Sequence, residues 1–105
     1  MNRPEVRDAF NDTMIAELTQ WAARVRDDPS VRVAVLSGAG RVFSAGADLA
    51  WMSKATELSR EENLRDAAAM ALMFDALNTI PIPLIGRIHG AAFGGGAGLV
   101  AVCDI

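Results

Sequence analysis

The sequence predicts an α/β fold in which strands are joined by helices. Three observations carry this. Residues 31–37 and 84–88 are short apolar runs that read as strands. The segments around them place apolar residues at helical spacing. Two small-residue corners, Ala45-Gly46-Ala47 and Gly94-Gly95-Gly96, stand where an extended segment gives way to a helix.

Taken in order, residues 1–10 read as a loop or strand exit, because Pro4 blocks regular structure. Asn11 or Asp12 is suited to cap a helix. Met14, Ile15, Leu18, Trp21, Ala22 and Val25 form its apolar stripe. Asp27-Asp28-Pro29 stops it, since the residue before a proline avoids the α region. The strand at 31–37 is nearly all apolar from Val33 to Leu36, so both of its faces are expected to be covered, as in a parallel sheet. Gly38-Ala39-Gly40-Arg41 is a turn, Val42-Phe43-Ser44 resumes an extended segment, and Ala45-Gly46-Ala47 bends it. Asp48 suits the N-cap of a short helix through Trp51 and Met52. Ser59 with Glu62 matches a capping box, which starts a longer helix. Leu64, Ala67, Ala68, Ala71, Phe74 and Leu77 mark its expected buried face, to about Asn78. Pro81 and Pro83 end it, and residues 84–88 form a strand interrupted by Gly86. Residues 96–102 then read as a helix packed closely enough to require Gly and Ala.

No strand leads into Asn2-Arg3-Pro4, and a fresh strand starts at Cys103-Asp104-Ile105. Residues 1–105 are therefore expected to be part of one domain, truncated at both ends, with open apolar sheet edges. A chain of 105 residues allows one domain with a modest core. With 51% hydrophobic residues and a mean hydropathy of +0.22, some apolar surface is expected to need a cover from outside the chain.

The net charge of -3 and the absence of a basic cluster argue against nucleic acid as a partner. Cys103 is the single cysteine, so no intrachain disulfide can form, which fits a reducing compartment. The N-terminal residues have no signal-like apolar stretch, and the uncharged run at 90–103 is too short and Gly-rich to span a bilayer. A cytoplasmic location without membrane attachment is the expectation.

Several sequence patterns fail. A dinucleotide fingerprint started at Gly94 meets Leu99 where it needs glycine. There is no Gly-Lys pair for a phosphate loop, and Ser44 has Val42 where a nucleophile elbow needs glycine. One His and one Cys give no metal-ligand spacing. His89 and Cys103 read as structural in preference to reactive, and Asp48 as a helix cap in preference to a catalytic carboxylate. Trp51 and Met52 are equally suited to a ligand or to the core. What is left is backbone. Ligands of α/β proteins sit at the carboxyl ends of strands, and a helix N-terminus adds partial positive charge there. Two corners of this kind can aim main-chain N–H groups at one oxygen, the design of an oxyanion hole.

Residues 2–10, the run Phe43-Ser44-Ala45-Gly46-Ala47-Asp48-Leu49, His89-Gly90, Phe93-Gly94-Gly95-Gly96 and Cys103-Asp104-Ile105 together resemble the crotonase (enoyl-CoA hydratase/isomerase) superfamily. The matches occur in family order over essentially the whole chain. The resemblance implies a spiral of strand-strand-helix repeats, incomplete here. It implies trimers or dimers of trimers for the full-length protein, and an acyl-CoA thioester as substrate. By the same resemblance the Ala47 and Gly95 amides hold the thioester oxygen, with no metal and no cofactor beyond the coenzyme A of the substrate. Ala45, Gly46, Ala47, Asp48, Leu49 and Ala50, with Gly94 and Gly95, line the substrate. Two-glutamate hydratases of the family carry a glutamate where this chain has Gly98, and the other family glutamate would lie beyond Ile105. Gly98 and Trp51-Met52 resemble hydratases of methylglutaconyl-CoA and related branched glutaconyl-CoA thioesters. Three readings follow: a 2-enoyl-CoA hydratase, a double-bond isomerase working through the same dienolate, and a non-catalytic acyl-CoA-binding fragment. The 105 residues alone are expected to be inactive, and Gly95→Pro is expected to remove one donor.

Overall fold

The computed structural model describes residues 1–105 and bears out the α/β order. A short 3-10 turn, Pro4–Val6, leads into α1 (Asp12–Asp27), β1 (Ala34–Ser37), α2 (Leu49–Lys54), α3 (Arg60–Asn78), β2 (Leu84–Arg87) and α4 (Gly95–Ala101). Pro4 does not block regular structure but begins it, because its fixed φ suits the first position of a helical turn.

Asn11, not Asp12, caps α1, its side chain accepting from the Met14 amide. Met14, Ile15, Leu18 and Ala22 are buried, with Trp21 and Val25 packed beside them, as the stripe predicts. β1 and β2 pair in parallel with Ala34 opposite Leu84 and Leu36 opposite Gly86. The expectation that both faces of β1 are covered does not hold. Ala34 and Leu36 point into the core, while Val33 and Val35 are 46% and 53% exposed. Side chains of a strand alternate between faces, and the helices of this chain pack against only one of them. β2 also meets the chain end: Asp104 N–H donates to Leu84 O at 2.8 Å and Gly86 N–H to Ile105 O at 2.7 Å. Residues 104 and 105 are thus hydrogen-bonded to β2, but the strand expected at 103–105 is not formed, and the sheet has only β1 and β2.

The extended segment at 42–44 is not a strand. It makes only an isolated parallel bridge, Ser44 with Ala92, and a second bridge joins Phe10 to Ala47. The capping box of α3 is present in both directions, Ser59 to Glu62 and back. Its buried face is rotated from the expected one. Met73 and Leu77 are buried and Phe74 partly so, but Leu64, Ala67, Ala68 and Ala71 are exposed. Apolar and polar residues are both spread around the helix, so periodicity could not say which side meets α1; the contact with α1 selects the Met73 side. The core gathers Phe10, Phe43, Met73, Leu77, Leu84 and Leu99, all fully buried, under α1, α3 and α4. Large apolar side chains elsewhere stay exposed, among them Leu49, Leu72 and Phe93.

Candidate active site: two backbone corners

The two glycine corners are zipped together side by side. Phe43 N–H and Ser44 N–H both donate to Ala91 O, at 3.0 and 3.3 Å, and Phe93 N–H donates to Ser44 O at 3.0 Å. Gly46 sits at the joint with φ +86, and a Cβ on it would lie 2.6 Å from Phe93 O and 3.2 Å from Gly95 N. Both conformation and space demand glycine there. A Cβ on Gly95 would run into the Phe10 ring, and one on Gly96 would lie 2.8 Å from Ser44 O. The glycine triplet is therefore explained by close approach as well as by the turn.

Several amides around the joint have protein partners. Gly46 N–H donates to Ser44 Oγ at 3.1 Å, and Asp48 N–H to Phe10 O at 2.9 Å. Gly96 N–H donates to Phe93 O at 2.7 Å. Ala47 N–H and Gly95 N–H donate to no protein atom. Leu49 and Gly94 N–H also have no acceptor, but the Gly46 contact brings the Gly95 amide against the residue that precedes Ala47.

A buried polar brace holds the first corner. Ser44 Oγ donates to Asp8 O at 3.0 Å. The Asp8 carboxylate, fully buried, accepts from Arg3 N at 2.7 Å, Ala39 N at 2.8 Å and Gly40 N at 3.2 Å. Asp8 takes φ +52, which aspartate tolerates better than most residues. Sequence reading missed Asp8 and Ser44 as a pair. The one available signal was an aspartate shortly after a proline turn, a common Asx position.

Asp48 caps α2, its Oδ1 accepting from Ala50 N at 2.8 Å and Trp51 N at 3.2 Å. Its other oxygen meets Arg3 Nη2 at 3.1 Å. The Trp51 N–H, with Arg3 and the Ala50 N–H, holds the carboxyl below its usual range despite partial burial. Asp48 is thus an engaged anion and a weak base. Ala45, Ala47, Asp48, Leu49 and Ala50 together line one open cleft of about 540 Å³ against Val6 and Ala9. Gly46, Gly94 and Gly95, expected from the sequence to line the substrate with them, do not line this cleft; Gly46 abuts the Gly95 amide instead.

The remaining candidates are structural. His89 Nε2 is 2.7 Å from Gly40 O, tying the β2 exit to the 38–41 turn. Cys103 Sγ donates to Leu99 O at 3.3 Å, and burial followed by the Asp104 charge pushes its thiol pKa up. Trp51 packs against the core, whereas Met52 is exposed. A Cβ on Gly98 would lie 2.8 Å from the Phe74 ring, so the side-chain position there is already filled. No helix is long and apolar enough to cross a membrane.

The family profile described as enoyl-CoA hydratase/isomerase matches residues 1–105. The chain belongs to the enoyl-CoA hydratase/isomerase family. A Thermus thermophilus protein named as an enoyl-CoA hydratase is similar to it, 41% identical over 105 residues that make up 100% of this chain and 42% of that protein. The mitochondrial Delta(3,5)-Delta(2,4)-dienoyl-CoA isomerase of Mus musculus is 37% identical over 116 residues, covering 100% of this chain and 35% of its own. The crystal structure of an enoyl-CoA hydratase from Shewanella pealeana superposes with a TM-score of 0.93 at 38% identity, over 98% of this chain and 39% of that one. The crotonase-type fold expected from the sequence is therefore the fold observed. The chain spans between 34% and 42% of the length of the curated relatives it matches.

Proposed function

We propose that residues 1–105 carry the oxyanion-stabilising half of an enzyme that acts on acyl-CoA thioesters. The observation that carries this is the pair of acceptor-free amides, Ala47 N–H and Gly95 N–H, at two corners locked together through Gly46. Such a pair binds the thioester oxygen and binds it more strongly as it gains charge toward an enolate. Each donor of this kind contributes about 2.7–4 kcal/mol at the transition state. The cleft lined by Ala45 and by residues 47–50 adjoins Ala47 and suits the coenzyme A portion. The reaction we favour is addition of water across a 2-enoyl-CoA double bond, with a branched glutaconyl-CoA as the substrate suggested by Gly98. The similarity to a dienoyl-CoA isomerase favours a second reading, a double-bond shift through the same dienolate.

Proton transfer needs a group of another kind. Asp48 is committed to the cap and to Arg3, His89 to Gly40 O, and position 98 has no side chain. We assign the general acid or base of the proposed reaction outside residues 1–105, since none of these three positions offers a free group. A cytoplasmic enzyme that works as a trimer or a dimer of trimers, with no cofactor beyond the coenzyme A of its substrate, completes the proposal.

Gly95→Pro would remove the donor, but the Phe10 ring leaves no room for the proline ring, so loss of activity there would not isolate the amide. A cinnamoyl-CoA chromophore tests the donors directly, because hydrogen bonding to its carbonyl oxygen moves its absorption to longer wavelength. Bound to the protein from the full coding region, it is expected to show that shift. Binding with an unshifted spectrum would refute the oxyanion pair. Incubation with crotonyl-CoA separates the two reactions: 3-hydroxyacyl-CoA identifies a hydratase. Rearrangement of a 3,5-dienoyl-CoA without water uptake identifies an isomerase.

A further inference from the structure

Two aromatic rings lie under the glycine corner, and one of them belongs to a residue bonded to both neighbours of the first donor and packed against the second. Phe10 N–H donates to Gly46 O at 2.9 Å, and Phe10 O accepts from Asp48 N–H at 2.9 Å. Ala47 lies between these two bonds, so the Phe10 backbone clamps both flanks of the first donor while leaving the Ala47 amide free. The Phe10 side chain, fully buried, turns the other way and presses its ring edge against the Cα of Gly95, the second donor. Phe74 of α3 meets that ring edge-to-face, with centroids 6.5 Å apart and planes at 83°. The same Phe74 ring fills the side-chain position of Gly98, one helical turn beyond Gly95. The first turn of α4 thus rests on two interlocked rings.

We propose that Phe10 is a positioning residue that sets the spacing of the Ala47 and Gly95 amides, with Phe74 bracing its ring. The inference rests on the oxyanion reading of those amides. Its physical basis is connectivity. Phe10 is bonded through its backbone to both neighbours of Ala47 in the first corner, and its ring packs on Gly95 in the second. Shortening the side chain leaves the clamp on Ala47 intact and frees Gly95 to sink toward the core. A donor displaced by a fraction of an ångström from the developing oxyanion loses strength where charge is greatest, in the transition state.

The test uses the protein from the full coding region and the cinnamoyl-CoA chromophore. Phe10→Leu is expected to reduce the wavelength shift of the bound chromophore. It is also expected to lower kcat on the order of 10- to 100-fold with little change in KM. Phe74→Leu, which touches neither donor, is expected to do the same to a smaller degree. Gly95→Ala alone collides with the Phe10 ring and should reduce the shift. The double variant Phe10→Leu with Gly95→Ala should recover part of it, because the added methyl takes the space that the ring vacates. A full shift in a folded Phe10→Leu variant, or a rise in KM with kcat unchanged, would overturn the positioning role. If Phe10→Leu fails to fold, Phe74→Leu and Phe10→Met carry the same readout. A wild-type protein that binds the chromophore with no shift would instead refute the oxyanion reading itself, so the two failures are distinguishable.

Discussion

Asp48 combines a helix cap with an ion pair, and both depend on its charge. Replacing it with alanine is expected to cost about 0.5–2 kcal/mol, the usual range for an N-cap. Its carboxyl titrates below the ordinary value because the Trp51 amide, Arg3 and the Ala50 amide favour the anion. A depressed folded pKa contributes stability that is present above the unfolded value, near 3.9, and is lost as pH falls through the folded one. The gap between wild type and Asp48→Ala in urea melts should therefore be full at pH 7 and shrink below about pH 4. An unchanged gap in acid would show that the charge is not what Asp48 contributes. Cys103 gives a second prediction. Its raised pKa and its bond to Leu99 O keep it a thiol at neutral pH, so it should alkylate more slowly than a free cysteine. Asp48 was readable as a cap because the N-cap rule is local. Asp8 was not, because its partners at 39 and 40 are brought to it only by the fold.

At the scale of the element, α3 is the instructive case. Its start was legible, since the capping box lies within four consecutive residues, and Ser59→Ala should cost about 1 kcal/mol in thermal or urea melts. Its buried face was not legible, because Leu64, Ala68, Leu72, Met73 and Leu77 wrap most of the helix. The structure buries Leu77 to 1% exposure and leaves Leu72 at 61%. Leu77→Ala is expected to destabilise by about 2–5 kcal/mol, as cavity-forming core substitutions do. Leu72→Ala should cost well under half as much in the same melts. Equal costs would mean that the assigned face is wrong. β1 teaches the same point from the other side: a run of apolar residues gave a strand but did not say whether one face or two would be covered.

Across the whole molecule, 18 of 105 residues are buried, a small core for a chain that is 51% hydrophobic. Val33, Val35, Leu64, Leu72 and Phe93 remain open to solvent, and the β1–β2 pair keeps an apolar face uncovered. Residues 1–105 expressed by themselves are therefore expected to self-associate. Light scattering that showed a monodisperse, cooperatively melting monomer would contradict this. The same chain is expected to give no turnover of crotonyl-CoA, since Asp48 and His89 are both committed to structural hydrogen bonds and position 98 has no side chain. Measurable hydration would place the base within these residues after all.

What the sequence determined by itself was local or ordered along the chain. The helix caps, the order of helices and strands, the two glycine corners and the family all follow from neighbouring residues or from motifs in sequence order. What only the tertiary structure decided was every property that depends on distant contact. The docked side of α3, the open face of β1, the Asp8–Ser44 brace and the Phe10 and Phe74 rings beneath Gly95 and Gly98 are of this kind. The physical reason is that backbone conformation responds to near neighbours, whereas packing depends on which surfaces meet once the chain has turned back on itself.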